Sequence, residues 1–366
     1  MGRRVLITGL SSFWGGRVAQ RLEQDPDVDV IVGLDVEEPT IEFERTEYVR
    51  SDENYSILSR IVTAARIDTI LHTFLVVDST SCSAKRMHEI NVIGTMNLFA
   101  AASNPESTVR SVVVKSSTYV YGAGASDPTW FDETASRRSA PRTKVERSLE
   151  QVENYVRDFA TDNPHVLVSL LRFSNVLGPD IETPLSRALA LPLVPRIGGF
   201  DPSFQFVHEE DVVRAILFAL RTELPGIYNV AGDGLLPWSE VAKICGKRTI
   251  PLAPLGTSLA TGALRRFGVP LPPELMDLLK YGRGVDNRRL VDQGFDYRYT
   301  SVGAVTAFVQ ALRLRNTVGD HLPAYEYQRD VESFFRHSPA VATGRDLAAT
   351  DSDLGLAGEL LDEASD

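Results

Sequence analysis

The chain has 366 residues, of which 43% are hydrophobic and 24% are charged, a composition typical of a soluble globular protein. Its formal net charge of −11 argues against nucleic acid as a partner, and the sequence has no apolar run of about eighteen residues that would predict a membrane span. Cys82 and Cys245 are far apart and lack metal-ligand spacing, so we expect a cytoplasmic protein without a metal site.

Strand and helix patterns alternate through the first half of the chain. Strands are predicted at residues 4–8, 29–34, 47–49, 69–72, 111–115 and 165–172, and helices at 13–24, 57–65, 84–102 and 143–161. This alternation is typical of an α/β fold in which helices cover both faces of a parallel sheet. Right-handed crossovers would make the sheet doubly wound, of the Rossmann type.

The pattern changes after Gly178, where prolines separate short segments. Strand patterns return at 206–207 and 227–230, with a helix pattern at 210–222 between them. We therefore predict a Rossmann domain of residues 1–178 plus about 204–232 and a smaller C-terminal substrate domain of about 179–203 plus 233–325.

The last thirty residues differ in composition from the rest of the chain. From His337 onward there are seven acids and one base, which give a net charge of −6. The segment is also rich in Ala, Gly, Ser and Thr. We predict that residues 337–366 form an acidic, disordered tail, with a short amphipathic helix at 353–362 as the alternative.

The first strand, loop and helix have the order of a dinucleotide site. Gly9 allows a sharp turn after the strand, and Gly15, which has no Cβ, allows the helix to approach it. The N–H groups at the helix start, at Phe13 and Trp14, would then face a pyrophosphate. Ser12 replaces the middle glycine of the usual fingerprint, and it fits if its φ is negative.

The second strand ends on Asp35. A carboxylate at this position accepts hydrogen bonds from a ribose 2′-OH and repels a 2′-phosphate. Glu37 and Glu38 strengthen the repulsion. We therefore predict NAD rather than NADP as the cofactor.

Eight motifs in order resemble the extended short-chain dehydrogenase/reductase family, specifically its NAD-dependent epimerase/dehydratase group. They lie at residues 8–15, 52, 71–74, 91–98, 115–122, 171–179, 206–212 and 228–232, and the resemblance covers roughly residues 3–300. It implies a Rossmann fold, hydride transfer with NAD, and a small-molecule substrate such as a sugar. It also implies further cofactor contacts, at Asp52, Thr73, Phe74, Asn91, Ser116, Lys144, Phe173 and Asn175.

The family's catalytic residues are only partly present. The resemblance identifies Ser117 as the catalytic serine and Lys144 as the lysine of a Tyr-x-x-x-Lys pair, but Ala140 stands at the tyrosine position. A methyl group cannot carry a proton, so a rescued relay needs another residue. Tyr119, two residues after Ser117, is the best candidate by proximity. We expect Lys115 to point to the other face of the strand.

Two departures concern the substrate. Thr118 and Tyr119 replace the acidic pair of the family's dehydratases, so elimination of water is not expected. Phe204 stands near the position where sugar-nucleotide enzymes carry an arginine for the diphosphate. Arg196 or Arg283 would have to supply that charge, or each is only a solvated charge.

The sequence leaves two functions open. One is an NAD-dependent oxidoreductase or epimerase with a nonstandard acid/base residue. The other is a catalytically inactive NAD-binding protein with a sensing or scaffolding role. The apolar content of helices 84–102 and 143–161 further suggests a homodimer, since the family often pairs these helices; the alternative is that both helices only cover the sheet.

Overall fold

A computed structural model describes residues 2–51, 54–253 and 271–318. The predicted cofactor contact Asp52 and the predicted tail 337–366 lie outside the described residues. All the site residues discussed below belong to one compact unit, Met1–Ala311.

The strands and helices are numbered in chain order. The strands are β1 (Arg3–Thr8), β2 (Val28–Asp35), β3 (Thr46–Arg50), β4 (Thr69–His72), β5 (Ser111–Ser117), β6 (Trp130–Phe131), β7 (Leu167–Phe173), β8 (Asn175–Leu177), β9 (Leu193–Ile197), β10 (Ser203–Phe204), β11 (Phe206–His208), β12 (Gly226–Val230), β13 (Leu236–Pro237), β14 (Arg248–Leu252) and β15 (Gly284–Val285). The α-helices are α1 (Phe13–Glu23), α2 (Tyr55–Ala64), α3 (Ala84–His88), α4 (Gly94–Ala102), α5 (Lys144–Asp162), α6 (Pro184–Ala190), α7 (Glu209–Thr222), α8 (Trp238–Ile244), α9 (Pro273–Tyr281), α10 (Arg288–Val291) and α11 (Ser301–Val318).

Seven strands form a parallel sheet in the order β12-β7-β5-β4-β1-β2-β3. Its residues alternate between two apolar layers, as the pleat requires. Leu6 packs in the layer that contains Leu98 of α4 and Leu149 of α5. Ile7 packs in the opposite layer, with Val18 of α1 and others. The predicted doubly wound α/β fold is confirmed.

The strand order reverses between β1 and β4. The chain runs from β1 outward to β3 and then returns to the other side of β1 with β4 and β5. In open α/β sheets a ligand crevice lies at the carboxyl ends of the strands at such a switch point. Thr8 and His72, which are partners in register, end the two strands there.

The helix predicted at 84–102 is interrupted. A π-helical segment, Glu89–Ile93, separates α3 from α4. Such π-bulges often occur at functional sites, and Asn91 lies within this one. The apolar pattern alone predicts a continuous helix because a bulge changes the hydrogen-bond spacing without changing residue type.

The chain beyond β7 adds short, separate pairings. β8 pairs with β11, β9 with β14, β10 with β13 and β6 with β15. The boundaries of the second domain remain a prediction. Within the described ranges, no helix has the length and apolarity needed to cross a membrane.

Candidate cofactor and active site

The loop after β1 is built around two glycines. Gly9 has a φ of +78°, a conformation that L side chains rarely adopt. A Cβ on Gly15 would lie 2.0 Å from the carbonyl oxygen of Gly9. The loop therefore requires glycine at both positions, and it brings the start of α1 directly onto the end of β1.

Ser12 caps α1. Its φ is −71°, so the condition under which a serine fits here is met. Its Oγ accepts a hydrogen bond from the N–H of Gly15 at 3.1 Å and donates to the carbonyl oxygen of Gly9 at 2.6 Å. Among the described residues, the N–H groups of Phe13 and Trp14 have no hydrogen-bond partner. These two donors remain available for an anion at the positive end of the helix dipole.

Asp35 is held in a fixed orientation at the end of β2. It is buried, and its Oδ2 and Oδ1 accept hydrogen bonds from the N–H groups of Ser11 at 2.9 Å and Val36 at 2.7 Å. Oδ1 accepts a second, longer bond from the N–H of Glu37 at 3.4 Å. An ionised carboxylate has about four acceptor positions, so Oδ2 can accept one more bond, from a ribose hydroxyl. The geometry fits the predicted role of Asp35 in NAD selection.

The end of β4 contacts the glycine loop. Thr73 donates from its Oγ1 to the carbonyl oxygen of Thr8 at 2.7 Å, and Phe74 is so close to Gly9 that a Cβ there would lie 2.9 Å from the Cβ of Phe74. His72 lies between the hydroxyls of Thr8 and Thr95. Burial, reinforced by the charge of Lys115, lowers the pKa of His72 to about 3, so this ring is neutral at physiological pH.

Ser117 and Tyr119 are neighbours at the carboxyl end of β5. Ser117 is buried, and its Oγ accepts a hydrogen bond from the N–H of Tyr119 at 3.3 Å. The guanidinium of Arg283 lies 5.0 Å from the centre of the Tyr119 ring. Burial raises the pKa of the Tyr119 phenol above its ordinary value. This phenol is therefore protonated at neutral pH and can donate a proton or a hydrogen bond.

The two residues before Ser117 face opposite sides of the sheet. Ser116 donates its hydroxyl to the buried Glu153 of α5 at 2.7 Å. Lys115 lies on the other side, with its Nζ 5.9 Å from the centre of the Trp14 ring. The predicted cofactor contact Ser116 is thus bonded to α5.

Lys115 shares its face with Ser117. The register pairs Lys115 with Leu171 and Ser117 with Phe173, and both of these β7 residues belong to the apolar layer that contains Trp14. The sequence-based expectation places Lys115 on the face opposite the two serines. It does lie opposite Ser116, but it lies on the same face as Ser117, so the expectation is wrong for the predicted catalytic serine. Residues two apart on a strand share a face, and this alternation was the signal that could have identified Lys115.

The start of α5 differs from the expected pair. Ala140 is exposed and precedes the helix, and Lys144 is the exposed first residue of α5. These two residues therefore do not share a helical turn. The first apolar pair that α5 buries four residues apart is Val145 and Leu149, and both are fully buried.

Three further candidate residues have protein partners. The Asn91 side chain accepts a hydrogen bond from the N–H of Val76 at 2.8 Å and donates both to the carbonyl oxygen of Val76 at 2.8 Å and to Ser148 of α5 at 3.0 Å. Asn175 donates to a backbone carbonyl, that of Gln205, at 2.9 Å. Phe173 is buried in the layer beneath Trp14. Their roles toward a cofactor remain predictions.

An ion cluster beside the loop was missed by sequence reasoning. Arg17 of α1 lies 4.4 Å over the ring of Phe13 and pairs with Asp180 and Glu209. Glu209 accepts hydrogen bonds from the N–H groups of Asp180 and Ile181. Burial, opposed by Arg17, raises the pKa of Glu209 to about 7. The cluster joins α1 to the start of α7 beside the cofactor loop.

Arg283, one of the two arginines predicted to replace the missing one, lies beside Phe204. It forms a backbone bridge with Phe204, and its Nη1 donates to the carbonyl oxygen of Gly122 at 2.7 Å. Its buried Nη2 has no hydrogen-bond partner among the described residues. Burial lowers the pKa of Arg283 to about 10, so it is charged at neutral pH.

The comparisons with known proteins agree with this geometry. Residues 5–231 match the NAD dependent epimerase/dehydratase family. An uncharacterized protein of Mycobacterium tuberculosis is 32% identical over 325 residues, which are 87% of this chain and 86% of the relative.

Solved structures show the same fold at lower identity. MoeE5 in complex with UDP-glucuronic acid and NAD has a TM-score of 0.66 at 21% identity, covering 85% of this chain and 99% of that one. The UDP-glucose 4-epimerase of Thermotoga maritima has a TM-score of 0.64 at 18% identity, covering 86% and 99%.

The matched family is one of NAD-dependent enzymes, so the predictions of NAD as cofactor and of an epimerase/dehydratase-like enzyme are confirmed. The glycine loop, the free N–H groups of Phe13 and Trp14, and the buried Asp35 are consistent with that cofactor. The chain belongs to the NAD dependent epimerase/dehydratase family.

Proposed function

We propose that the protein oxidises or epimerises a small sugar-type substrate by hydride transfer with NAD, using a proton relay other than the Tyr-x-x-x-Lys pair. The observation that carries the proposal is the juxtaposition of Ser117 and Tyr119 at the carboxyl end of β5. Ser117 lies on the face of the sheet that packs in the same layer as Trp14. The Tyr119 ring lies next to the guanidinium of Arg283.

Bound NAD would supply the hydride acceptor and, in the reverse direction, the hydride donor. Ser117 would hold the reacting oxygen of the substrate through its hydroxyl. Tyr119, whose phenol stays protonated, would give a proton to that oxygen when a carbonyl is reduced and would take it back in the reverse direction. Its raised pKa keeps the Tyr119 phenol protonated at neutral pH, which is the form that donates a proton to a carbonyl. For oxidation of a substrate hydroxyl, the phenol would first have to release this proton to solvent before it could accept the proton of the substrate.

Arg283 supports an anionic substrate. A buried guanidinium with one unpartnered nitrogen, among the described residues, is suited to bind a carboxylate or a diphosphate. MoeE5 binds UDP-glucuronic acid. We propose a sugar nucleotide as the substrate class, with Arg283 in place of the arginine that Phe204 replaces.

A catalytically inactive NAD-binding protein is the second candidate. It is favoured by the exposure of Ala140 and Lys144 and by the apolar Val145 and Leu149 on the buried side of α5. In that case NAD would act as a structural or sensing ligand.

The experiment is a binding assay followed by a turnover assay. We expect NAD to raise the melting temperature of the purified protein. With a panel of sugar nucleotides we expect turnover, seen as the near-ultraviolet absorbance of NADH if the substrate is oxidised, and as a chromatographically separated epimer without net NADH if it is epimerised. Ser117→Ala and Tyr119→Phe should each reduce turnover by about 10²–10⁴-fold, whereas Tyr55→Phe, at an exposed tyrosine of α2, should not. NAD binding without turnover on the whole panel would support the inactive candidate.

A further inference from the structure

Lys115 is a buried cation without an anionic partner. Lys115 lies on β5, an interior strand of the sheet, and only 6% of the residue is exposed. Within the part of the chain that the structure describes, it forms no salt bridge and no hydrogen bond, and its Nζ lies 5.9 Å from the centre of the Trp14 ring. Burying an ammonium without a partner is unfavourable, so its presence calls for a ligand.

The Lys115 ammonium lies beside the ring of a residue in the first turn of α1, Trp14. Trp14 is the second residue of that helix, and the N–H groups of Phe13 and Trp14 are the two donors that lack a partner among the described residues. The positive end of the helix dipole adds to them. The Lys115 ammonium lies beside the side chain of Trp14, and the two free N–H groups belong to Trp14 and its neighbour Phe13. The ammonium, the N–H groups and the helix terminus each favour negative charge.

We propose that Lys115 is a cofactor-binding residue whose ammonium pairs with the diphosphate of NAD at the start of α1. The inference rests on the proposed function, because it assumes that NAD lies along the carboxyl ends of β1, β4 and β5. It assigns Lys115 to holding the cofactor, while Ser117 and Tyr119 face the substrate. The diphosphate would supply the anion that the protein itself does not.

The other titratable groups near Lys115 are neutral or already paired, so Lys115 is the group proposed to bind the diphosphate. His72 of β4 is neutral, because its pKa lies near 3. Arg172 of β7 pairs with Glu153 of α5 on the opposite face of the sheet. On the near face, Arg17 of α1 pairs with Glu209 of α7.

The proposal has a pH signature. Burial lowers the pKa of Lys115 to about 8. NAD would bind the ammonium form, so above pH 8 binding would require uptake of a proton and the affinity would fall by up to about tenfold per pH unit. Glu209, whose pKa lies near 7, titrates below this window. The variant Lys115→Arg separates the two effects, because it keeps Glu209 and changes only the titration of residue 115.

The test measures dissociation constants by calorimetry for three ligands: NAD, ADP-ribose and adenosine. We expect Lys115→Met to weaken NAD and ADP-ribose by roughly 10- to 100-fold, the range for one hydrogen bond to a charged group, and to leave adenosine unchanged. Lys115→Arg should keep most of the affinity and lose the decline above pH 8. Lys243→Met, at an exposed lysine of α8, is the charge-matched control and should bind like the wild type.

A second readout separates binding from folding. Because Lys115 has no partner to lose, the free energy of unfolding of Lys115→Met without ligand should equal or exceed that of the wild type. Unchanged NAD affinity in Lys115→Met, or an equal loss for adenosine, would overturn the proposal while leaving the proposed function intact. A wild type that binds none of the three ligands would instead overturn the proposed function.

Discussion

Gly15 of α1 lies against the carbonyl group of Gly9: a Cβ on Gly15 would come within 2.0 Å of that oxygen. The atom it would meet belongs to the backbone, so no side-chain rotation can relieve the clash. The separation of α1 from β1, and with it the position of the N–H groups of Phe13 and Trp14, depends on the missing methyl group.

Gly15→Ala should therefore displace the helix start. We expect a loss of about 1–3 kcal/mol in the free energy of unfolding from overpacking, together with loss of NAD binding, measured by urea denaturation and calorimetry. Gly303→Ala is the control, because a Cβ there would meet no atom closer than 3.5 Å and alanine is the better helix former. NAD binding at wild-type affinity in Gly15→Ala would contradict the assignment of the loop.

Asp35 should set the choice between NAD and NADP. In Asp35→Asn the side chain keeps one acceptor oxygen but loses the charge that repels a 2′-phosphate. We expect NAD affinity to fall by roughly tenfold and NADP affinity to rise, so that the ratio of the two dissociation constants moves toward one. Glu47→Gln, at an exposed position of β3, removes the same charge and should leave the ratio unchanged.

Removing one partner of the Arg172–Glu153 pair should lower the free energy of unfolding, because the other charge is then left buried without a counter-charge. Both side chains are buried, and Glu153 also accepts the hydroxyl of Ser116. Glu153→Gln leaves the Arg172 guanidinium without its counter-charge, so we expect a loss of about 3–5 kcal/mol in the free energy of unfolding. Glu240→Gln breaks an exposed pair with Lys243 and should cost less than about 1 kcal/mol. Equal losses in the two variants would show that burial of the pair is irrelevant.

Glu209 should make stability depend on pH. Its pKa is about 7 in the folded protein, against an ordinary value of 4.5, so between these values the folded state binds a proton that the unfolded state has released. Its contribution therefore destabilises the fold progressively as pH rises from about 4.5 to about 7. The difference in unfolding free energy between the wild type and Glu209→Gln should show this slope, and Glu210→Gln should not alter it. A flat difference across this range would contradict the raised pKa.

The homodimer remains a prediction, and the structure identifies residues that can test it. Ile93 and Met96 are exposed at the π-helical segment and on α4, within the region 84–102 predicted to pair. If the dimer forms there, Ile93→Glu together with Met96→Glu should produce monomers in sedimentation velocity at micromolar concentration. Val291→Glu, at an exposed apolar residue of α10, should not. A monomeric wild type would exclude the dimer.

The sheet was predictable because its strands are local patterns. Continuous apolar runs marked the strands around Ile7 and Val113, and the glycine loop and Asp35 followed from their positions at strand ends. Even Ser12 could be judged, because a negative φ is all that a serine needs there. Strand and helix bounds differ from the predicted ones by one or two residues in most elements, since local propensity weakens at element ends.

The ionic part of the site was not predictable in the same way. Arg17 pairs with Asp180 and Glu209, which are 163 and 192 residues away in the sequence. The hydrophobic periodicity of a sequence does not indicate which distant charged residues form pairs. Arg283 reaches Tyr119 across a similar separation. Lys115 is different, because the alternation of side chains along β5 is enough to place it on the same face of the sheet as Ser117.

The beginning of α5 limits how the family's chemistry can be engineered into this chain. Because Ala140 is exposed and precedes the first helical turn, a tyrosine introduced at that position would present its phenol to solvent without being held one turn from Lys144. A designer who wants a phenol and an amine on the buried side of this helix would have to begin at Val145 and Leu149 and accept the cost of replacing two packed aliphatic side chains.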